Sequence, residues 1–243
     1  MPVLNLHFLG RLGNAMFSYA FARAFAEKHG LELRTDPWIG QQIFDLNELP
    51  CIGELPRKDE YSIQDSDADF SFRSYCQQQK CVDLYSRADC KRWFRLRPEI
   101  ARCAAHYPPE YFVAHHRKGD YFWNGSAYPV VSRMAYVNAF NALGEINRAL
   151  HFVSEEQPMT HSNFTGELAM VPDFIRLMQA KVLFRANSSF SWWAAVLSDA
   201  FVYSPVCAHL AGGIEHDDVE FVKGNWPRLA CFEYTTDLHL REI

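Results

Sequence analysis

The sequence lacks the features of several large classes of protein. Its 243 residues carry a formal net charge of −5 and a pI near 6.0, so they offer no chain-wide basic surface for nucleic-acid phosphates. The longest apolar stretch, Phe190 to Val206, is interrupted by serines and an aspartate, whereas a membrane-spanning helix needs about 20 predominantly apolar residues. We therefore expect a small-molecule or glycan partner, no nucleic acid and no transmembrane segment.

The start of the chain also lacks the basic segment and long apolar run of a signal peptide. The seven cysteines form no C-x-x-C pair, and an odd number cannot all pair within one chain. Reduced thiols and a cytoplasmic protein are the expectation. N-x-Ser/Thr sequons occur at Asn124, Asn163 and Asn187, and a glycan at the last would block the nucleotide site suggested below.

Metal-binding patterns are weak. The acidic run Asp65 to Asp69 contains D-x-D and resembles the opening of a calcium loop. It lacks the glycine and the glutamate that such a loop carries at positions six and twelve, where Phe70 and Cys76 stand. The preceding segment, 61–64, is a poor hydrophobic strand for a metal-dependent D-x-D transferase. We read these acids as a solvated loop and expect no metal and no other cofactor.

Alternating strand and helix patterns are present and predict an α/β fold. Strands that alternate with helices of about 10 to 15 residues indicate a parallel sheet with right-handed crossovers. The first third begins with strand Val3–Phe8, a helix from about Asn14 to His29 with Gly30 as its C-cap, and strand Leu31–Thr35. The later elements are strands Tyr111–His115, His151–Ser154, Val182–Ala186 and Phe201–Ser204, and helices Arg133–Arg148, Val171–Ala180 and Ser189–Asp199.

These signals weaken between about Pro37 and Pro109. We place a domain boundary near Ala105, which gives an N-terminal α/β domain over 1–105 and a C-terminal Rossmann-like domain over 106–243. Two such halves would bind a ligand in the crevice between them, outside the carboxyl ends of their strands.

A cationic segment, His115 to Asp120, directly follows one predicted strand. The carboxyl end of a strand is where open α/β sheets bind ligands. The guanidinium of Arg117 offers a planar fork of donors that matches phosphate oxygens and would stabilise a diphosphate leaving group. The alternative is that Arg117 and Asp120 form an ordinary surface ion pair at a turn.

A second segment, Arg185 to Trp193, changes from strand to a helix whose first turn is rich in hydroxyls. Free N–H groups and serine hydroxyls at a helix N-terminus form an anion site. The alternative is simple capping by serine, with Trp192 and Trp193 filling the core.

A third segment, Gly10 to Phe17, is a glycine-bearing turn between strand and helix, where the backbone can approach a ligand. It does not match the G-x-G-x-x-G fingerprint, which disfavours a nicotinamide oxidoreductase on the same architecture. The alternative is a tight turn with Asn14 as the helix cap.

Together these segments resemble glycosyltransferase family 11, the α-1,2-fucosyltransferases, within the wider group of GDP-fucose-dependent enzymes. That family carries G-x-x-G-N-x-x-F, H-x-R-R-G-D-Y and N-S-S-F-S-W-W, and this chain shows all of them in order, at Gly10, His115 and Asn187. The wider group also places an Asp sixteen residues before a Ser of the third motif, and Asp173 stands at that distance from Ser189.

The resemblance implies a GT-B-like architecture, with two Rossmann-like domains facing across a cleft. It implies an inverting, metal-independent transfer of L-fucose from GDP-β-L-fucose to a glycan hydroxyl, α-1,2 to a galactose-like residue. It also implies a set of roles for the matched residues. His115 would lie against the nucleotide, Arg117 would bind the diphosphate, Asp173 would read guanine, Ser188, Ser189 and Phe190 would hold phosphate and neighbouring groups, and Gly13 and Asn14 would approach the sugar.

Some positions depart from the family pattern. Lys118 replaces an Arg and loses its bidentate geometry, Ala15 replaces the usual Gln, and segment 153–156 reads Val-Ser-Glu-Glu where the family has Phe-Ser-Asp-Asp. The acceptor linkage therefore stays open. So does the donor, which another GDP-6-deoxyhexose would equally fit, and a catalytically idle sugar-nucleotide-binding protein is a further alternative.

The guanine-reading role of Asp173 has a structural alternative, because an acid in the first turn after Pro172 is favoured by the helix dipole alone. The general base is also open. Asp120 lies near the clamp but could simply orient Arg117, and Asp36, at the end of the second strand, is another candidate.

Overall fold

The computed structural model describes residues 1–63, 68–123, 128–145, 147–156, 158, 164–207 and 209–224. The chain divides into two compact units, Met1–Arg102 and Cys103–Ile243, whereas the sequence placed a boundary near Ala105. The D-x-D residues Asp65 and Asp67, the sequons at Asn124 and Asn163, and Cys231 lie outside the described residues. The functions assigned to the two domains remain predictions.

The first unit is built on a five-stranded sheet in the order Leu49–Pro50 (β3), Glu32–Thr35 (β2), Val3–Leu6 (β1), Phe70–Phe72 (β5) and Arg57–Lys58 (β4), with parallel pairing throughout. β1 is central and fully buried, which suits its apolar-rich sequence, in which Asn5 is the one polar residue. Its elements are β1 (Val3–Leu6), α1 (Leu12–His29), β2 (Glu32–Thr35), α2 (Gly40–Ile43), β3 (Leu49–Pro50), β4 (Arg57–Lys58), β5 (Phe70–Phe72), α3 (Gln79–Val82), α4 (Arg87–Trp93) and α5 (Pro98–Ala104), the last crossing the division between the units.

Helix α1 ends as predicted, with Gly30 in the left-handed region at φ 66° and donating its N–H to Ala26 O. Its start differs from the sequence interpretation. The N-cap is Arg11, and Asn14 lies inside the first turn, so Asn14 is not the cap. Gly10 at φ 71° makes the preceding turn, and a Cβ there would collide with the Asn14 side chain.

The second unit contains a five-stranded sheet in the order Phe221–Gly224 (β12), Phe201–Pro205 (β10), Val182–Phe184 (β9), Phe112–His116 (β6) and Leu150–Ser154 (β8), parallel except for the antiparallel β12 at its edge. Val130–Val131 (β7) and Glu215–His216 (β11) form a separate parallel pair. The elements are β6 (Phe112–His116), α6 (Gly119–Trp123), β7 (Val130–Val131), α7 (Arg133–Asn141), β8 (Leu150–Ser154), a 3-10 turn (Gly166–Met170), α8 (Val171–Gln179), β9 (Val182–Phe184), α9 (Ser189–Leu197), β10 (Phe201–Pro205), β11 (Glu215–His216) and β12 (Phe221–Gly224).

Several predicted elements are longer than the observed ones, among them the first strand, which ends at Leu6 rather than Phe8. Helix α7 ends at Asn141 rather than Arg148, and Gly144 follows at φ 72°, a conformation that stops a right-handed helix. Strand β9 ends at Phe184 rather than Ala186, because Arg185 to Ser188 already lead into the next helix.

Two further expectations concern membranes and thiols. Within the part of the chain that the structure describes, no helix is both long and apolar enough to cross a bilayer. The described cysteines are all free thiols: Cys51, Cys76, Cys81, Cys90, Cys103 and Cys207.

Candidate nucleotide site

The site begins at the carboxyl end of β6, the strand between β9 and β8. Arg117 follows this strand, and its guanidinium donates to Asp120 Oδ1 at 2.5 Å and forms an ion pair with Glu155. It also lies 5.3 Å from the centroid of the Tyr121 ring. The ion pair with Asp120 that the sequence offered as an alternative is therefore present, and a second carboxylate accompanies it.

Sheet register explains the position of Glu155. β6 and β8 are parallel neighbours in which His116 lies opposite Ser154. The residues that directly follow these two strands, Arg117 and Glu155, are therefore neighbours as well. Gly119 leaves room for this pair, because a Cβ at that position would meet the Glu155 carboxylate. Sequence reasoning noted segment 153–156 as a family-like strand end but assigned Glu155 no role.

His115 is buried directly beneath this charge cluster. It is 4% exposed, its ring lies 5.7 Å from that of Phe190, and its carbonyl accepts a hydrogen bond from the Tyr136 hydroxyl. Burial, followed by the charges of Arg117 and His116, lowers the pKa of His115 to about 3. The ring is therefore neutral at physiological pH, and its Nδ1 has no hydrogen-bond partner among the described residues.

Helix α9 brings the hydroxyl-rich segment to the same place. Ser188 is its N-cap and accepts from the Phe190 N–H at 3.3 Å, which is the capping role weighed from sequence. The Tyr121 hydroxyl donates to Asn187 O at 2.9 Å and so ties the Arg117 segment to this helix start. Trp192 and Trp193 are fully buried, as the core alternative expected.

Asp173 lies in the first turn of α8 and is 7% exposed. The next residue, Phe174, packs against Phe190 with ring centroids 5.1 Å apart. The Asp173 charge also contributes, after burial and Cys103, to raising the pKa of Tyr107. The structure thus gathers His115, Phe190 and the start of α8 into one neighbourhood.

A charge that the sequence interpretation missed lies behind this neighbourhood. Arg185 is fully buried, donates from Nε to Ser204 Oγ at 2.6 Å and from Nη1 to Ala186 O at 3.4 Å. A buried guanidinium on the strand-to-helix turn adds positive charge beneath the α9 N-terminus. The signal was its place directly before the Asn-Ser-Ser motif.

The remaining family positions have their own contacts. Lys118 forms an ion pair with Glu215 at 2.6 Å, which raises the pKa of the lysine. In the first unit, Gly13 and Ala15 are buried in the first turn of α1, and Asn14 Oδ1 accepts from Gln77 Nε2 at 2.7 Å. The candidate base Asp36 pairs with His7 at 2.8 Å.

The sequon residue Asn187 is buried. It is 1% exposed, and its Nδ2 donates to Pro129 O at 2.9 Å. The atom that would carry an N-linked glycan is therefore inside the protein and engaged, so the folded chain cannot be glycosylated there.

Searches by sequence gave no relatives: no protein-family model matches the chain, and no curated protein matches it. Comparison of folds gave a clear result. NodZ α-1,6-fucosyltransferase, soaked with GDP-fucose, superposes with a TM-score of 0.54 at 12% identity over 92% of this chain and 99% of its own. Another NodZ structure, from Bradyrhizobium, gives 0.52 at 12% identity with the same coverage.

The chain has the fold of these fucosyltransferases. It is an α/β protein of the GT-B-like class with parallel sheets. A mutant of FUT1 from Arabidopsis thaliana in complex with GDP also matches, at a TM-score of 0.48 and 10% identity over 84% of this chain and 70% of its own. The fold assignment rests on NodZ, and the membership of family 11 suggested by the motifs remains a prediction.

Proposed function

We propose that this protein is an inverting, metal-independent fucosyltransferase. It transfers L-fucose from GDP-β-L-fucose to a glycan hydroxyl, α-1,2 to a galactose-like residue, and requires no cofactor. The observation that carries the proposal is the convergence of Arg117, at the carboxyl end of β6, with the serine-capped N-terminus of α9, joined by the Tyr121–Asn187 hydrogen bond.

This arrangement suits a diphosphate. The α9 N-terminus presents backbone N–H groups and the Ser188 and Ser189 hydroxyls, and Arg117 supplies a charged fork. As the glycosidic bond to fucose breaks, negative charge grows on the leaving GDP, and these donors stabilise it. Arg185, buried behind the helix start, strengthens the same field.

Arg117 must change partners for this to happen. Asp120 and Glu155 hold its guanidinium, and both carboxylates would repel a phosphate placed beside them. Binding of GDP therefore displaces at least Glu155, whose side chain is about two-fifths exposed and free to turn outward. Asp120 then acts as the orienting carboxylate, and we assign it that role in preference to general base.

Asp173 and His115 complete the nucleotide site. A carboxylate accepts from both guanine N1–H and the exocyclic amine, a pattern that adenine does not offer. His115, held neutral, offers a ring nitrogen without adding charge beside Arg117. Phe190, on the same side, gives the nucleotide an aromatic contact.

A donor-by-acceptor screen tests the proposal on the full chain. Fucose transfer from GDP-fucose to a galactose-terminated oligosaccharide, with a linkage analysis that gives α-1,2, is the expected result. If only another GDP-6-deoxyhexose supports turnover, the assignment of GDP-fucose as the donor is wrong. If calorimetry shows GDP binding but no donor–acceptor pair gives turnover, the protein is the idle sugar-nucleotide-binding alternative. Two features favour that alternative: Ala15 stands where the family has Gln, and Lys118 is paired with Glu215.

A further inference from the structure

A second cluster of reactive side chains lies in the first unit, at the carboxyl edge of its parallel sheet. β3, β2 and β1 are consecutive neighbours, and their last residues Pro50, Thr35 and Leu6 lie in register. The residue after each strand is Cys51, Asp36 and His7, respectively. Residues at matching register on neighbouring strands point to the same side, so the three side chains converge.

The convergence is close. One ligand-type atom from each of His7, Asp36 and Cys51 lies within 4.8 Å of the others. His7 Nδ1 is 2.8 Å from Asp36 Oδ2, and Cys51 Sγ donates to Leu6 O at 3.7 Å. Imidazole, carboxylate and thiolate are the ligands of tetrahedral zinc sites, where bond lengths of about 2.0–2.3 Å put ligand atoms roughly 3.3–3.8 Å apart. Changes of up to about 1.5 Å in these separations would bring the three atoms to that spacing.

From this geometry we infer that His7, Asp36 and Cys51 form a binding site for a divalent transition metal of the zinc type. Three protein ligands leave a fourth position for water, and the partly exposed side chains of His7 and Asp36 give solvent a path to it. The inference is independent of the proposed function, because the site belongs to the first unit and the donor chemistry assigned above uses no metal.

The surroundings support metal ligation by His7 through Nδ1. Its other ring nitrogen, Nε2, is 3.4 Å from the hydroxyl of Ser71, a buried residue of β5. When Nε2 carries the ring proton, it donates a hydrogen bond to Ser71 Oγ, and Nδ1 has its lone pair free for the metal. Ligating histidines characteristically donate their second nitrogen to such an outer partner, which fixes the tautomer.

The experiment uses the full chain, stripped with a chelator. Titration with Zn²⁺ against a chromophoric competitor is expected to show one site per chain, and Co²⁺ should give a thiolate-to-cobalt charge-transfer band. Cys51→Ser should abolish the band and weaken Zn²⁺ binding by about 100-fold or more, and Ser71→Ala by about tenfold, since outer partners typically contribute 10- to 100-fold. Cys103→Ser, which removes a partly exposed thiol of the second unit, should change neither.

Absence of stoichiometric binding, or a band that survives Cys51→Ser, would overturn the inference. A band lost in Cys103→Ser would overturn it too, because the sulfur ligand would then lie elsewhere. Asp36→Asn, which is nearly isosteric, provides a second test should Cys51→Ser fail to fold. It should weaken Zn²⁺ binding while preserving the far-ultraviolet dichroism. Fucose transfer is not measured, so this result and that of the donor screen stand separately.

Discussion

Arg117 and Glu155 form an ion pair between the first residues after two neighbouring parallel strands, β6 and β8. The pair places a carboxylate where the proposed function requires a phosphate. Two substitutions follow from it, one on each partner.

Arg117→Lys should weaken GDP binding by about tenfold or more, because an ammonium keeps the charge but cannot make two parallel hydrogen bonds to a phosphate. Calorimetry with GDP measures the change. Arg133→Lys is the matched control, since Arg133 is an exposed arginine at the start of α7 and should leave the affinity unchanged. If the wild type and Arg117→Lys bind GDP with equal affinity, Arg117 does not contact the diphosphate.

Glu155→Gln should tighten GDP binding by about two- to fivefold, since it removes a competing carboxylate whose partly exposed ion pair contributes at most about 1 kcal/mol. Glu156→Gln is the control. Glu156 is the next residue, and its nearest cation, Arg133, lies 4.0 Å away. Weaker binding in Glu155→Gln would mean that Glu155 orients Arg117 for the ligand rather than competing with it.

Asp173→Asn should abolish the preference for guanine. Charge-assisted hydrogen bonds contribute about 1.5–3 kcal/mol each, so we expect GDP affinity to fall by about 10- to 100-fold. Inosine diphosphate, which lacks the exocyclic amine, should bind the wild type less tightly than GDP does. The Asp173→Asn variant should bind inosine diphosphate and GDP with equal affinity. If the variant discriminates among GDP, inosine diphosphate and ADP as the wild type does, Asp173 does not recognise guanine. Its role is then only that of an acidic residue in the first turn of α8.

Ser188→Ala separates capping from ligand binding. Loss of an N-cap costs about 1 kcal/mol of stability. Ser132→Ala removes the corresponding cap of α7, where Ser132 accepts from the Ala135 N–H at 3.1 Å, together with the hydrogen bond that Ser132 Oγ donates to Asp217, and should cost at least as much. Only Ser188→Ala should also weaken GDP binding, by several-fold. Chemical denaturation and calorimetry read the two effects, and identical GDP affinities in both variants would reduce Ser188 to a cap.

Some of this site follows from the sequence alone. The strand ending near His115, the helix beginning at Ser189 with a serine cap, and the Gly30 stop are all set by local patterns, and the structure contains them. Cap chemistry and burial periodicity act over a few residues, so a single sequence carries them.

What the sequence did not reveal depends on register between distant segments. Glu155 meets Arg117 because β8 pairs with β6, and the His7, Asp36 and Cys51 cluster exists because three strands end in step. In segment 37–109 the strands have only two or three residues, among them Phe70–Phe72 beside β1. Strands of two or three residues are too short to show the alternation of apolar and polar residues by which a strand is predicted.

The buried His115 predicts acid sensitivity. Its pKa is lowered to about 3 in the folded chain, against about 6.5 when unfolded, so between these values the unfolded chain binds a proton that the folded chain does not. Stability should therefore fall as pH falls through this window, by about 1.4 kcal/mol per unit from this group. Denaturation at pH 7 and pH 5 should show a smaller loss for His115→Gln than for wild type. His106→Gln, at an exposed position, should match wild type, and equal losses in all three proteins would refute this account.

The enclosed amide of Asn187 has a practical consequence for making the protein. In a eukaryotic secretory host, an oligosaccharide transferred to this sequon during translocation would arrive before the chain folds, and the Asn187 side chain could not then be buried against Pro129. Bacterial cytosolic expression avoids that competition. In a secretory host, Ser189→Ala would remove the acceptor sequon but also a proposed phosphate contact. Asn187→Gln would remove the sequon but also change the side chain that donates to Pro129 O, so each substitution would recover yield only by altering the folded protein.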